Sequence, residues 1–268
     1  IAIRSADVDM YDSFMTGNTA TAAGGGISAS DSTLDISGSK IRENEASVAG
    51  GIFIENTTTS IDTTRVCGNS PDQIVGPWTN DGYAAVRDSC SSIYVPEDFL
   101  VLQDAIDSSN EGDTIFVSAG TYSGGSDSDI NIEGKAISII GETNEDGTPA
   151  VIIQGVFVVG YVYTGEVQLQ NLQMYTTYLY DCYADLSNCI VQYGGGQIAG
   201  LLISNFEGTI NDCRIANNNA QFFTGGLMLW DQLEDPQISS SNVTFLRCVV
   251  ENNSGSGPFG SGGSSGVS

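Results

Sequence analysis

The 268 residues contain no histidine, and only 8 lysines and arginines stand against 33 aspartates and glutamates, a formal charge of -25. Without histidine, serine–histidine triads, histidine metal sites and imidazole proton relays are all excluded. A surface this anionic is repelled by phosphate backbones and anionic lipid, so nucleic-acid binding is excluded as a function class. Long apolar runs are also missing. The longest, "VIIQGVFVVGYVY" from Val151, is interrupted by Gln154 and by Gly155 and Gly160 and is too short to span a bilayer, so no membrane insertion is expected in this segment. The 6 cysteines are scattered and lack the paired spacing of a zinc ribbon, which favours disulfides and an extracellular, cell-surface location. No signal peptide is visible and the pattern is already under way at Ile1, so the chain is read as a fragment or processed piece.

What the sequence does have is a repeat. An apolar-x-x-Asn step occurs as "MTGN", "IREN", "VCGN", "IANN" and "VENN", ending at Asn18, Asn44, Asn69, Asn218 and Asn253, and the first two intervals are 26 and 25 residues. Other columns keep phase with it. Ala20, Ala46, Ala220 and Gly255 follow the asparagine by two positions, and Ser13, Ser39, Thr64, Cys213 and Cys248 precede the apolar residue by two, with Cys189 matching in "LSNCIV". Glycine groups stand before apolar residues in "GGGI" from Gly24, "GGI" from Gly50 and "GGL" from Gly225. A period near 25 with almost no helix formers fits three short strands per repeat, stacked about 4.8 Å apart, so that one column in sequence becomes one ladder in space. The fold class read from this is all-β, a parallel β-helix. Its asparagines pair up and down the stack, and its glycine pairs supply backbone torsions closed to other residues.

Between the early and late repeats lies "SIYVPEDFLVLQDAIDSSNEGDTIFVSAGTYSG", residues 92 to 124. A proline near the start, acidic residues behind it and the spacing of Phe99, Leu102, Ala105 and Ile106 predict an amphipathic helix over about 96–109. "GDTIFVSAGTY" then reads as a turn and strand, and "INIEGKAISIIGE" and "AVIIQG" begin new repeats. This stretch resembles the amino-terminal cap of the pectate-lyase-like right-handed parallel β-helix superfamily. The short repeat resembles that of polymorphic outer-membrane proteins and related bacterial and algal surface proteins. The resemblance implies two tandem units. Residues 1–90 would be the C-terminal rungs of a first β-helix, and 91–268 a second, with its cap helix at about 96–109 and rungs over about 114–268.

Lyases of that superfamily pair acidic calcium ligands with an arginine or lysine that removes a proton. The constellation implied here is Asp212 with Arg214, supported by Asp181 or Asp185. Arg214 is placed in one column with Lys40, Arg65 and Arg247, which favours an outward-facing rung position, and no catalytic residue is assigned. The hydrolase branch's paired aspartates, Gly-His-Gly and Arg-x-Lys are absent. Asp127 and Asp129 in "GGSDSDINIEG" are a candidate calcium site, read as a solvated loop, and no cofactor is expected. Tyr161, Tyr163, Tyr175, Tyr178, Tyr180 and Tyr183 form either a sugar-stacking face or packing along the rungs. Cys67 and Cys90 are expected to close the end of the first unit with a disulfide, and Cys189, Cys213 and Cys248 form an inward column, while Cys182 has no evident partner. Asn56, Asn242 and Asn252 head glycosylation sequons. The expected function is a non-catalytic extracellular structural or adhesive protein, a segment of an appendage, fibre, sheath or filament. Its partners would be copies of itself or other appendage subunits. The alternative is a polysaccharide-binding or lyase-like polysaccharide-cleaving protein acting on extracellular glycans.

Overall fold

The computed structural model describes residues 1–82, 84–124, 129–197, 200–221, 223–230 and 241–255. It is nearly all β, built from parallel sheets, with one helix among the described residues. No helix is long and apolar enough to cross a membrane. The chain divides into two compact units, Ile1–Ile93 with Glu97–Leu100, and Tyr94–Pro96 with Val101–Ser268.

The first unit comprises β1 (Ala2–Arg4), β2 (Asp7–Tyr11), β3 (Phe14–Thr16), β4 (Ile27–Ser30), β5 (Thr33–Ser37), β6 (Lys40–Arg42), β7 (Ile52–Glu55), β8 (Thr58–Asp62), β9 (Arg65–Cys67), β10 (Ile74–Val75), β11 (Thr79–Asn80) and β12 (Ala85–Arg87). Successive strands join three sheets in rotation, ordered β1-β4-β7-β10, β11-β8-β5-β2 and β12-β9-β6-β3. Register is kept from repeat to repeat, so Ile3 stands beside Ala29 and Ala29 beside Ile54, while Met15, Ile41 and Val66 form another buried column. Alternation along each strand sends the intervening residues outward. Each fully buried isoleucine in these columns contributes about 1.5–3 kcal/mol.

Three corners turn the chain from sheet to sheet, and each uses one residue in the left-handed region. They are Ser5, Asp31 and Asn56 at the first corner, Asp12, Gly38 and Thr63 at the second, and Gly17, Glu43 and Gly68 at the third. Such a turn takes the next backbone N–H out of the sheet ladder, and a buried N–H needs an acceptor. The sequence supplies it from the repeat alongside. At the first corner Ser32 N–H donates to Thr57 Oγ1 (3.3 Å), and at the second Ser13 N–H donates to Ser39 Oγ (3.0 Å) and Ser39 N–H to Thr64 Oγ1 (3.1 Å). The same hydroxyls donate onward, Thr57 Oγ1 to Glu55 O (2.9 Å) and Ser39 Oγ to Ser37 O (3.0 Å). A corner residue must therefore accept one bond and donate another, which is what a serine or threonine hydroxyl does.

At the third corner the job falls to asparagine. Asn18 N–H and Nδ2 both donate to Asn44 Oδ1 (2.9 Å each), and Asn44 N–H (3.0 Å) and Nδ2 (2.9 Å) donate to Asn69 Oδ1. The second Nδ2 hydrogen goes to a carbonyl, Asn44 to Met15 O and Asn69 to Ile41 O, each at 2.9 Å. The run ends on Gln73, whose Oε1 accepts from Asn69 N–H (3.0 Å) and Nδ2 (2.8 Å).

The glycine pairs correct one expectation. Gly25, Gly26, Gly50, Gly51, Gly225 and Gly226 are not in the left-handed region. They are glycines because there is no room for a side chain. A Cβ on Gly51 would lie 2.1 Å from Gln73 O, one on Gly25 2.6 Å from Gly50 O, and one on Gly225 2.0 Å from Ser254 O.

The second unit takes Tyr94 and Val95 from β13 (Ser92–Val95) and continues through α1 (Leu102–Ser108), β14 (Thr114–Val117), β15 (Gly120–Tyr122), β16 (Ile130–Glu133), β17 (Ser138–Gly141), β18 (Val151–Gln170) and β19 (Leu172–Ser187). Then come β20 (Ile190–Gln192), β21 (Gly195–Gly196), β22 (Leu201–Asn211), β23 (Arg214–Ala216), β24 (Asn219–Ala220), β25 (Leu227–Leu229), β26 (Asn242–Leu246), β27 (Val249–Glu251) and β28 (Ser254–Gly255). β18 is long enough to pair in turn with β15, β16 and β17. The inward column Ile153, Met174, Val191, Ile215, Val250 runs through five strands.

α1 is shorter than the 96–109 expected. Asp98 is held by the Arg87 guanidinium and Phe99 is already buried, so the chain becomes helical only at Leu102. Leu102, Ala105 and Ile106 form the buried stripe, and the C-terminal carbonyls of Ile106 and Asp107 accept Lys135 Nζ at 2.8 and 2.9 Å.

In this unit the second-corner column is made of cysteines. Asn188, Asp212 and Arg247 are the left-handed residues, and Cys189, Cys213 and Cys248 follow them. Cys189 N–H donates to Cys213 Sγ (3.4 Å), and each thiol donates to the carbonyl two residues before it: Cys189 to Ser187, Cys213 to Asn211 and Cys248 to Leu246. The pattern is that of Ser39, atom for atom. Cys213→Ser is therefore expected to cost less than about 1 kcal/mol, while Cys213→Val leaves the Cys189 N–H without its acceptor and costs about 1–3 kcal/mol. Comparing the two variants' thermal unfolding checks this, and equal destabilisation would refute the corner role.

Candidate functional site

Sequence-predicted residues are scattered by the fold rather than gathered. Asp212 and Arg214 bind different partners on the neighbouring strand. The Asp212 carboxylate accepts from Arg247 Nε (2.6 Å) and Nη2 (2.8 Å), and Arg214 pairs with Glu251 through Nη2 (2.6 Å) and Nε (2.9 Å). The Arg247 hydrogen bonds hold Asp212 below the usual carboxylate range. Arg247 is thus not in the Arg214 column, since Arg214 stands beside Val249. Counting back from the asparagine step misplaced Arg247, which follows the corner instead. Nor is the basic column wholly outward, for Arg65 is buried and donates to Cys90 O. Asp181 accepts from Asn205 Nδ2 (2.8 Å), and Asp185 accepts the Thr209 N–H (2.7 Å).

Cys67 and Cys90 form the disulfide, with Cα atoms 5.0 Å apart, and Cys182, Cys189, Cys213 and Cys248 are free. Burial pushes the Cys182 thiol up to about 12, as befits a packed apolar group beside Val162 and Phe206. Asn218 and Asn253 repeat the amide ladder of the first unit, with Asn218 N–H and Nδ2 donating to Asn253 Oδ1 at 3.0 Å. Asn56, Asn242 and Asn252 are all exposed. Asp127 lies outside the described residues. Asp129 accepts the Val156 N–H (2.9 Å), and among the described residues no group of three acidic or cysteine side chains could hold a metal ion. Of the tyrosines, Tyr180 packs edge-on to Tyr161 at 5.1 Å and lies over Gly160, where a Cβ would meet its ring at 2.5 Å. Burial, then Tyr161 and Glu133, raise its phenol to about 12.

One surface does gather polar groups. On the outer face of the sheet formed by β17, β18, β19, β22 and β26, Gln168, Asp185, Thr209 and Thr244 stand side by side, as do Gln170, Ser187, Asn211 and Leu246. The inward residues between them are Leu169, Leu186 and Ile210, all buried. A groove of about 300 Å³ runs across these rows. Beside Asp185, which lines it, burial and then the Asp185 charge raise the Glu166 pKa. Rows of amide, hydroxyl and carboxyl groups about 4.8 Å apart can exchange hydrogen bonds with a hydroxyl-rich ligand. The signal was present in "VQLQ", "ADLS" and "GTIN", where polar residues flank each inward leucine or isoleucine.

The chain matches no protein-family model, no curated protein and no solved structure.

Proposed function

We propose that the chain is a non-catalytic extracellular structural or adhesive protein, two tandem right-handed parallel β-helices of the pectate-lyase-like kind that form a stiff segment of a fibre, sheath or appendage. The observation that supports this best is the destination of its few cations. Arg87, Arg214 and Arg247 are held by Asp98, Glu251 and Asp212, Lys135 caps α1, Arg65 bonds Cys90 O, and Lys40 lies over the Phe14 ring. A lyase-like reaction needs a cation free to take a proton from the sugar, and these six of the eight cations are engaged by other groups of the chain; of the remaining two, Arg42 stands 4.0 Å from Glu43 and Arg4 is exposed. The disulfide agrees with an oxidising location.

The test is incubation with a panel of acidic polysaccharides, with unsaturated products and new reducing ends as the readout. No turnover is expected. Turnover that disappears on Asp185→Asn or Arg214→Ala removes the structural reading. Finding the chain repeated along regular fibres in native material would support it. The groove beside Glu166 and Asp185 favours a second reading, recognition of an extracellular glycan without cleavage. Calorimetric titration with neutral and acidic oligosaccharides, repeated with Gln168→Ala and Thr209→Ala, tests that reading.

A further inference from the structure

The second corner does the same work in both units, but with different atoms. In the first unit Ser39 N–H reaches Thr64 Oγ1 at 3.1 Å, and both residues are buried. In the second Cys189 N–H reaches Cys213 Sγ at 3.4 Å, although sulfur accepts, and S–H donates, more weakly than a hydroxyl. Hydrogen bonding alone therefore favours serine or threonine at these positions. What a thiol adds is the capacity to bond covalently to a neighbouring thiol. We infer that Cys189 and Cys213 are a modification site, which a hydroperoxide such as hydrogen peroxide joins in a disulfide that fixes the register of two adjacent repeats. This goes beyond the structural reading and needs only an oxidising setting, with which the Cys67–Cys90 disulfide already agrees.

The backbone sets the two cysteines opposite each other. Ser187 pairs with Asn211 on one side of them and Ile190 with Arg214 on the other, so Cys189 stands beside the residue 24 positions on, Cys213. Adjacent strands lie about 4.8 Å apart, and disulfides span Cα separations of about 4.4–6.8 Å. Both residues are buried, at 0% and 4% exposure, and β20 and β23 each have a described strand on either side, so the pair is interior to the stack. Cys213 Sγ is already turned toward the Cys189 nitrogen, and its hydrogen goes to Asn211 O (3.2 Å). To meet it, Cys189 Sγ has only to leave Ser187 O (3.3 Å) and Leu169 O (3.5 Å). Cys248 is the other neighbour of Cys213, but its thiol is directed to Ile210 O (3.1 Å) and Leu246 O (3.4 Å). The environments differ in the same sense. The Cys189 thiol, and then burial, push the Cys213 thiol far up, whereas for Cys248 burial comes first.

Hydrogen peroxide is small enough to enter a buried corner when it opens locally. The Cys189 thiolate attacks one peroxide oxygen, the O–O bond breaks, and a sulfenic acid and hydroxide result. Cys213 sulfur then attacks Cys189 Sγ, the S–O bond breaks, and a second hydroxide leaves. The two thiol protons convert both hydroxides to water, so two thiols and one peroxide give one disulfide and two waters. Because the Cys213 thiol is pushed up, its thiolate is scarce at neutral pH, and closure quickens as the pH rises. The product ties the repeat of β19 and β20 to that of β22 and β23, and closes a loop about as long as the one closed by Cys67 and Cys90, which are 23 residues apart.

The test treats the 268-residue chain with hydrogen peroxide, removes the excess with catalase, and alkylates the remaining thiols after unfolding. Peptic peptides are then mapped by mass spectrometry. The expected product is a link between the peptides that hold Cys189 and Cys213, within one chain, together with a thermal midpoint raised by about 5 °C. Dithiothreitol should reverse both. Cys189→Ser or Cys213→Ser should abolish both while keeping a corner side chain that accepts and donates, and Cys248→Ser should leave both in place. The inference is overturned if Cys189 and Cys213 stay as thiols or become sulfinic acids without a link, or if Cys213 is found joined to Cys248 or to a second chain. A Cys189–Cys213 link that leaves the midpoint unmoved overturns the register-fixing role. This assay reads an inward corner and the polysaccharide assay the outer face, so either reading can fail alone.

Discussion

Asn44→Ala is expected to lower the free energy of unfolding by about 3 kcal/mol, against less than about 1 kcal/mol for Asn18→Ala, from the loss of buried hydrogen bonds. Asn44 is 1% exposed and fully used. Its Oδ1 accepts twice from Asn18, its Nδ2 donates to Met15 O and Asn69 Oδ1, and its N–H donates to Asn69 Oδ1. Alanine strands the Met15 carbonyl and removes one of the two donors to Asn69, and burial keeps water from replacing them. Asn18 has one face in solvent, so its alanine variant leaves groups that water can satisfy. Urea unfolding followed by circular dichroism measures both variants. Equal losses would show that burial of Asn44 does not decide what its hydrogen bonds contribute. Asn44→Asp adds a pH test. A carboxylate there would face two acceptors in a buried place, so its folded-state pKa would lie above its unfolded value. Stability would then be greatest below the unfolded pKa and would be lost as pH rises through the folded one.

Gly51→Ala should be comparably damaging for a different reason. Its Cβ would stand 2.1 Å from Gln73 O and 3.0 Å from Asn69 Nδ2, neither of which can retreat without opening the amide ladder. Overpacking of this kind costs about 1–3 kcal/mol, and the upper figure is expected because the obstacle is backbone. Gly112 is the control. It has φ +83°, and a methyl group placed on it would meet nothing within 4 Å, so Gly112→Ala tests torsion without crowding. That change should cost about 1 kcal/mol. If Gly51→Ala proved no worse than Gly112→Ala in thermal melts, close approach would not be the reason for the glycine pairs.

The third corner was legible because one residue type, asparagine, recurs there three positions after an apolar residue at intervals of 26 and 25. The other two corners were not. Their ladders alternate between serine and threonine, so no single residue type marks the column, and their left-handed residues are as varied as Ser5, Asp12, Asn56 and Thr63. Gln73 was invisible because it sits four residues from Asn69 rather than one repeat away, yet it takes the place of the next asparagine. The Glu166–Asp185 pair was hidden by a change of period. Asn188 bonds Asn171 at a separation of 17, where Thr209 bonds Asp185 at 24, because β18 and β19 shift register between Val162 and Val167. Cys67 and Cys90 could be paired from the sequence because each flanks the point where the first pattern breaks off.

The corners also determine where new sequence can enter. Across most of β22 the partners on β19 lie 24 residues away, yet on its other side Phe206 N–H reaches Ser241 Oγ at a separation of 35, and Asn211 still stands beside Leu246. The strand is in phase with β22 again from Asn242 to Leu246, and the corners described elsewhere ask for little more than one left-handed residue and one side chain able to accept a bond. A chain built this way can lengthen at a corner without disturbing its interior. Grafted loops at these positions, rather than changes along the strands, are where such a protein could acquire a new binding specificity while its frame stays the same.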